Sequence, residues 1–370
     1  MEIAWTHSYG DVSNGPGRVE PFEHWRPRAI CADLRRTICG AGEGMGVIRV
    51  SESGLFTTVQ DLGREGFAFL GVSASGAADA ISLRLGNRLL GNAEGAAGLE
   101  MTLLGGTFIF PEAATGALTG SDFGATLDGE RVDLWTTFAV KPGQTLRLGP
   151  TCSGARCYLC VRGGIAVEPF LGSASTHILS GLGGFEGRAL RKGDVLNIGA
   201  ANGLAGERSL SARAVKMAEP RRVLRVTPGP QSDWFDEASE PLFYGSTYRV
   251  AEDANRMGLR LEGAAIPMLP DDTWPEETGP TRGTGGMISE GVTLGAVQVP
   301  EGGMPIILFV EQQTTGGYPK IANLISADFH SLGQLRPRDE IRFERVAWET
   351  ARSLLSEQEE LMASEELIFE

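Results

Sequence analysis

Gly303-Met304-Pro305-Ile306-Ile307-Leu308-Phe309-Val310 is an apolar run that empties into Gln312-Gln313-Thr314-Thr315-Gly316-Gly317-Tyr318-Pro319-Lys320. The run is short and rich in β-branched and aromatic residues, so it reads as a buried strand ending in a polar loop. It has a counterpart upstream in Gly154-Ala155-Arg156-Cys157-Tyr158-Leu159-Cys160-Val161. Downstream of each, Leu190-Arg191-Lys192-Gly193-Asp194-Val195-Leu196 echoes Leu335-Arg336-Pro337-Arg338-Asp339-Glu340-Ile341. The second pair is a common turn signature and weighs little alone. The shared order and similar separation predict two related domains, each built around one such strand. In this register Arg162-Gly163-Gly164 falls beside the loop after Val310, so the two halves present loops at equivalent ends.

Outward from the repeat, many short aliphatic runs are separated by Gly, Pro and Asp turns, and 51 residues are glycine. That pattern predicts a mainly β fold with a few short helices, and 370 residues suffice for two β-barrel domains, each with its own core. The first convincing strand starts after Met45, at Val47-Ile48-Arg49-Val50. Residues 1–44 read as a flexible extension or the product of a start codon placed too far upstream. Residues 45–203 form the first domain and 221–345 the second. Between them, 204–220 is small, polar and charged, lacks a period, and reads as a linker. Residues 346–370 read as an amphipathic helix packed on the second barrel, with Trp348, Ala351, Leu355 and Met362 on one face. A helix in the first domain is capped by Ser75, carries Ala77, Ile81, Leu85 and Leu89 on one face, and ends at Gly91.

Composition excludes several functions. A net charge of −14 is wrong for a nucleic-acid surface. No apolar stretch approaches the ~20 residues of a membrane span. Met1 to Gly44 has no signal-peptide pattern, so a cytoplasmic location is expected. Five cysteines, an odd number, read as free thiols. Cys157 and Cys160 have redox-motif spacing but lie in a strand, where positions three apart face opposite ways. The four histidines, His7, His24, His177 and His330, are too scattered for a zinc site, and no metal is expected. No lysine sits in a Walker-type loop. The glycine-rich Gly181 to Gly187 has no βαβ setting, so a dinucleotide site is not expected. Lys216 lies in the linker and lacks the methionine that precedes a biotinylated lysine.

Lys320 stands out because the chain has only four lysines, Lys141, Lys192, Lys216 and Lys320, among 33 basic residues. Lysine is the compact ammonium whose pKa burial can tune, whereas arginine stays charged. A lysine closing a loop of hydroxyls, amides and glycines reads as a polar site on a rigid strand end.

Six motifs appear in order: Thr57-Thr58-Val59-Gln60-Asp61-Leu62-Gly63-Arg64; Ser75-Gly76-Ala77-Ala78-Asp79; Leu99-Glu100-Met101-Thr102; Gly183-Gly184-Phe185-Glu186-Gly187-Arg188; Asn255-Arg256-Met257-Gly258; and Gln313 to Lys320. Together they resemble the biotin-dependent carboxyltransferase A/B-subdomain family over roughly Val47 to Arg345. That family includes the C component of 5-oxoprolinase, allophanate hydrolase subunit 2 proteins and part of urea carboxylase. The resemblance implies cyclophilin-like β-barrel domains and a B-type partner carrying C/D subdomains. It leaves the reaction open. A component of an ATP-dependent 5-oxoprolinase, working with B-type and A-type partners, is the first expectation. A carboxyltransferase component acting on urea or a related amide is the second, and a non-enzymatic regulator of a kinase inhibitor the third. ATP would be a co-substrate of the complex, and any biotin would arrive on another chain.

Both enzyme reactions act on a planar N–C=O group, which needs donors for the oxygen and a group to manage the nitrogen proton. Thr314, Thr315 and the backbone N–H groups of Gly316 and Gly317 could donate, Gln313 could read the amide, and Lys320 could stabilise developing negative charge. The alternative is a tight loop with Lys320 in solvent. Asp61 could orient or deprotonate the nitrogen while Arg64 holds a carboxylate, or the two could be a turn and its surface ion pair. Asn255 and Arg256 could hold an anion or serve loop structure. Glu290, in Ser289-Glu290-Gly291, is expected to pair with Lys320.

Overall fold

The computed structural model describes residues 46–201, 206–269 and 287–369. The expectations for residues 1–44 and for the start of the linker, Leu204 and Ala205, lie outside the described residues.

Arg156–Val161 is buried along its whole length because both of its faces meet apolar layers. Cys157, Leu159 and Val161 point into one core, and Tyr158 and Cys160 into another, as a period of two requires. The strand is the centre of a five-stranded sheet ordered Phe56–Gln60, Gly98–Thr102, Arg156–Val161, Ala114–Gly120, Thr137–Val140. A seven-stranded sheet that includes Val47–Glu52, Thr107–Ile109 and Val195–Ile198 supplies the other wall of the first core. Ile48, Val50, Phe108 and Leu196 meet Leu99, Leu118 and Leu159 there. Both thiols are free, and burial pushes that of Cys160 up to about 12.

On the opposite face of the five-stranded sheet lies the helix Ala80–Leu89, with Leu83, Leu85 and Leu89 against Ala117, Tyr158 and Cys160. Its cap is Asp79, whose carboxylate accepts from the Ser82 N–H, and not the expected Ser75. Ser75 sits at φ +57 in the turn before the helix and donates its hydroxyl to the Thr176 carbonyl instead. Gly91, at φ +67, ends the helix as expected.

The second half closes into a seven-stranded barrel: Val223–Pro228, Lys320–Leu324, Ala296–Gln298, Ile306–Leu308, Gly258–Glu262, Tyr248–Val250 and Glu340–Arg345. Ile307 faces Leu259 on one neighbour and Val297 on the other, all antiparallel. Of the two runs that opened the sequence, Arg156–Val161 is the middle strand of a five-stranded sheet and Ile306–Leu308 is one strand of the closed barrel. Val226, Leu259, Val297, Ile307, Phe309 and Phe343 fill the barrel.

The linker is more ordered than its composition suggests. Ser209–Leu210 pairs with Ile368–Phe369 at the other end of the chain, and Ser211 caps the short helix Ala212–Met217. The C-terminal helix, Trp348–Ala363, does not stay on the barrel. Ala351 packs with Ile325 and Ala327, but Leu361 and Met362 join the cluster around Leu85 and Leu89. Trp348, expected on its buried face, is 69% exposed. Because the helix crosses from one half to the other, its contact stripe is not set by a single partner.

Candidate functional site

Two groups of polar residues, one at the barrel end and one between the halves, hold most of the residues singled out above. Lys320 begins the barrel strand Lys320–Leu324 and is 3% exposed, so the solvent-facing alternative does not hold. Its Nζ lies 2.5 Å from Glu290 Oε1 and 3.4 Å from the Tyr318 carbonyl oxygen. Gln231 steadies both partners: its Nε2 donates to Glu290 Oε1 at 3.0 Å, and its Oε1 accepts from the Lys320 N–H at 3.2 Å. The hydrogen bond from Lys320 holds the Glu290 carboxyl below its ordinary range. Gly229 lets the chain pass against this strand, since a Cβ there would run into the Lys320 carbonyl oxygen.

The loop before Lys320 is zipped to the Glu290 segment, with Thr315 and Gly316 opposite Gly291 and Glu290. Thr315 is exposed, and Thr314 and Gly317 are half-buried. Gly316 is buried, and a Cβ there would meet Gln298 Nε2 at 2.5 Å. Gln313 Nε2 donates to Gln298 Oε1 at 3.2 Å, while Gln298 Nε2 and Gln312 Oε1 are buried without partners. Gln313, Gln298, Tyr318 and Asn255 line one cavity of about 310 Å³.

The second group joins the halves. Arg256, buried, reaches out of the barrel with each nitrogen engaged: Nε to Glu311 Oε1 at 2.5 Å, Nη1 to Glu100 Oε1 at 2.5 Å, and Nη2 to the Gly76 carbonyl at 2.6 Å. Burial opposes its charge, but Glu100 and Glu311 outweigh burial and hold the guanidinium pKa above its ordinary value. Glu100 Oε2 accepts from the Ala78 N–H at 2.8 Å and the Tyr158 hydroxyl at 2.7 Å. Burial first, then Glu100 and Asp79, push the Tyr158 phenol well up, which keeps it a donor. Arg156 lies 3.4 Å from Glu100 Oε1, donates to the Gly333 carbonyl, and sits 5.5 Å above the Phe309 ring. Gln334 ties Asp79, Ser121 and the Arg156 backbone together across the same junction. A cavity of about 330 Å³ opens beside this group, between Phe56, Ile178, Leu179 and Met257, with Arg156, Arg256 and Glu311 among its lining.

Asp61 is buried, and its carboxylate already accepts from the Gly63 N–H, the Ser173 hydroxyl, the Ala174 N–H and the Ser175 hydroxyl, at 2.5 to 2.8 Å. Those four donors make it the organiser of its own turn and of the facing Ser173–Ser175 segment. Arg64 is no surface partner of it. It is 2% exposed, donates to the Ser175 and Phe170 carbonyls, and has Nη1 buried without a partner. Burial lowers its pKa against the opposing pull of Asp61 and Glu311. Among the described residues no cluster of His, Cys, Asp or Glu could hold a metal, and no helix is long and apolar enough to cross a membrane.

Sequence reasoning gave no role to Glu100, Tyr158, Gln231 or Glu311. Glu100 carried a signal, a carboxylate inside the otherwise buried strand Gly98–Thr102. Gln231 carried none, because its partners come from distant strands.

The family model for the carboxyltransferase domain, subdomain A and B, matches residues 70–345. The C component of the 5-oxoprolinase of Escherichia coli is 38% identical over 85% of this chain and 96% of its own length. Urea amidolyase of Saccharomyces cerevisiae is 33% identical over 84% of this chain, which spans only 17% of that protein. Among solved structures, the crystal structure of TTHA0988 superimposes with a TM-score of 0.69 at 35% identity, over 82% of this chain and 56% of that one. The K. lactis urea amidolyase gives a TM-score of 0.78 at 28% identity, over 87% of this chain and 20% of that one.

Proposed function

The chain belongs to the family of carboxyltransferase domains of subdomain A and B type, and from that premise we propose that it is the C component of a 5-oxoprolinase. The observation that carries the reading is the end-to-end match to a component of that name, 38% identical over 96% of its length. The complex opens the lactam of 5-oxoproline to glutamate in a reaction coupled to ATP hydrolysis. Water adds to the ring carbonyl, the C–N bond breaks, and the nitrogen leaves with a proton. Partners of B and A type complete the site and bind the nucleotide, since this sequence has no Walker loop. The assembly is cytoplasmic.

Within this chain, the barrel end supplies the polar wall. Lys320, paired with Glu290, stabilises negative charge developing on the substrate oxygen. The exposed hydroxyl of Thr315, the neighbouring Thr314 and the backbone at Gly316 and Gly317 donate to it. Gln313 and Asn255, on one cavity wall, read the amide. The unpartnered Nη1 of Arg64 is the donor left for a carboxylate. Mixing this chain with its two partners is expected to give 5-oxoproline-dependent ATP hydrolysis. Lys320→Ala is expected to lower that turnover roughly a hundredfold with an unchanged circular dichroism spectrum. No lactam-dependent hydrolysis with all three components present would sink the assignment, and full turnover by the variant would remove Lys320 from the site.

A second reading is favoured by the TM-score of 0.78 to the K. lactis urea amidolyase. In it the same wall receives a carboxyl group from carboxybiotin on another chain and passes it to urea or a related amide. Carboxylated product formed with a biotinylated carrier, and no ATP-dependent lactam opening, would select it.

A further inference from the structure

Trp348, Ala351, Arg352 and Leu355 follow one another at the spacing of one helix face, near the start of Trp348–Ala363. That face does not close on the barrel. A cavity of about 480 Å³ lies against it, larger than the one at the barrel end and the one between the halves. Leu294, Leu324 and Phe329 line it opposite Trp348 and Leu355, so most of the wall is apolar. Thr293 and Ser326 add hydroxyls that no described residue engages. Arg352 is the one charged residue on the wall; it is exposed and forms no ion pair with any described residue.

We propose that this groove between the C-terminal helix and the barrel binds a small monocarboxylate with an aryl or alkyl tail, its carboxylate paired with Arg352 and its tail laid against Trp348 and Phe329. The charge selects the sign. One arginine with no carboxylate on the wall attracts an anion and repels an ammonium. The guanidinium fork matches the two oxygens of a carboxylate. The apolar wall selects the rest of the ligand. A dicarboxylate or a phosphorylated sugar would lay further charge or hydroxyls against Leu294 and Leu355, where nothing compensates their desolvation. A hydrocarbon tail instead covers Trp348, which is 69% exposed, and gains aromatic contact there. The volume is within the range of small-ligand sites, and a largely apolar wall with a few polar groups is their usual make-up. The groove shares no residue with the Lys320 wall and does not rest on the lactam-opening reading.

The probes are phenylacetate and phenylacetamide, which share ring and length and differ in charge. Binding to the full chain is followed by saturation-transfer NMR. Phenylacetate is expected to bind, and phenylacetamide to bind more weakly by roughly tenfold or more. Arg352→Ala, at an exposed helix position where alanine is well tolerated, is expected to bring phenylacetate down to the level of the amide. Trp348→Ala is expected to weaken both probes, and neither variant to lower the melting temperature. Excess 5-oxoproline is expected not to compete. No binding by the wild-type chain, equal binding of both probes, or undiminished phenylacetate binding by Arg352→Ala would each overturn the proposal. Competition by 5-oxoproline would overturn it by moving the bound carboxylate to another site. Loss of the signal on adding the partner components, or a sedimenting dimer that Trp348→Ala dissociates, would overturn it by covering the groove with protein.

Discussion

Replacing Arg256 with methionine removes the clasp between the halves while keeping an unbranched stem of similar length. The cost follows from what remains. Glu100 keeps the Tyr158 hydroxyl, the Ala78 N–H and Arg156 at 3.4 Å. Glu311 loses its ion pair with Arg256 and is 3% exposed. The loss is therefore close to that of breaking one buried ion pair and leaving one partner charged, about 4 kcal/mol. With a urea m-value of about 3 kcal/mol/M, the unfolding midpoint should fall by roughly 1.3 M. The double variant Arg256→Met/Glu311→Gln removes the orphaned charge as well and is expected to recover about half of the loss. Equilibrium urea unfolding followed by tryptophan fluorescence measures both. A single-variant shift below about 0.3 M would refute the reasoning. So would a double variant no better than the single one, since the penalty would then not come from Glu311.

Three further outcomes follow from the same geometry. Gly229→Ala places a methyl group against the Lys320 carbonyl oxygen and is expected to displace that strand, costing about 1–3 kcal/mol by thermal unfolding and lowering turnover of the complex; wild-type values for both would contradict the packing. Leu361→Ala empties a position in the cluster around Leu85 and Leu89 and should cost about 2–4 kcal/mol, whereas a cost below about 1 kcal/mol would mean the C-terminal helix does not brace the first half. The Glu290 carboxyl is held below its ordinary range by Lys320, so its contribution is present above the unfolded-state pKa and disappears as pH falls through the lower folded value. In Lys320→Met its NMR-detected titration is expected to move upward, and an unmoved titration would show that the pair does not set it.

The parts of this protein that were legible in sequence are those fixed by local pattern. Ile306–Leu308 and Arg156–Val161 read as strands because both runs are short and apolar; the first is one strand of the closed barrel and the second the middle strand of its sheet. Lys320 was legible for a compositional reason, since a rare residue at a strand end is conspicuous. What failed was whatever depends on the docking of distant segments. Ser75 has the chemistry of a cap, but the turn set by Gly76 moves the helix start to Asp79, where Gln334 from the barrel also binds the carboxylate. Trp348 lies on the expected stripe but stays 69% exposed at the start of the helix, whereas Leu361 and Met362 at its far end are covered by the first half. Glu311 shows the limit most clearly. Adjacent to the polar loop, it looks like one more loop residue, and its burial is decided by Arg256, 55 positions earlier. Arg256 in turn is held by Glu100 from the other half, 156 positions away. One arginine pairs with Glu311 at the start of the polar loop and Glu290 pairs with the lysine that ends it, so both ends of the loop are tied to distant segments. A site assembled this way is read in sequence only as separate motifs, and the ion pairs that join them become visible with the fold.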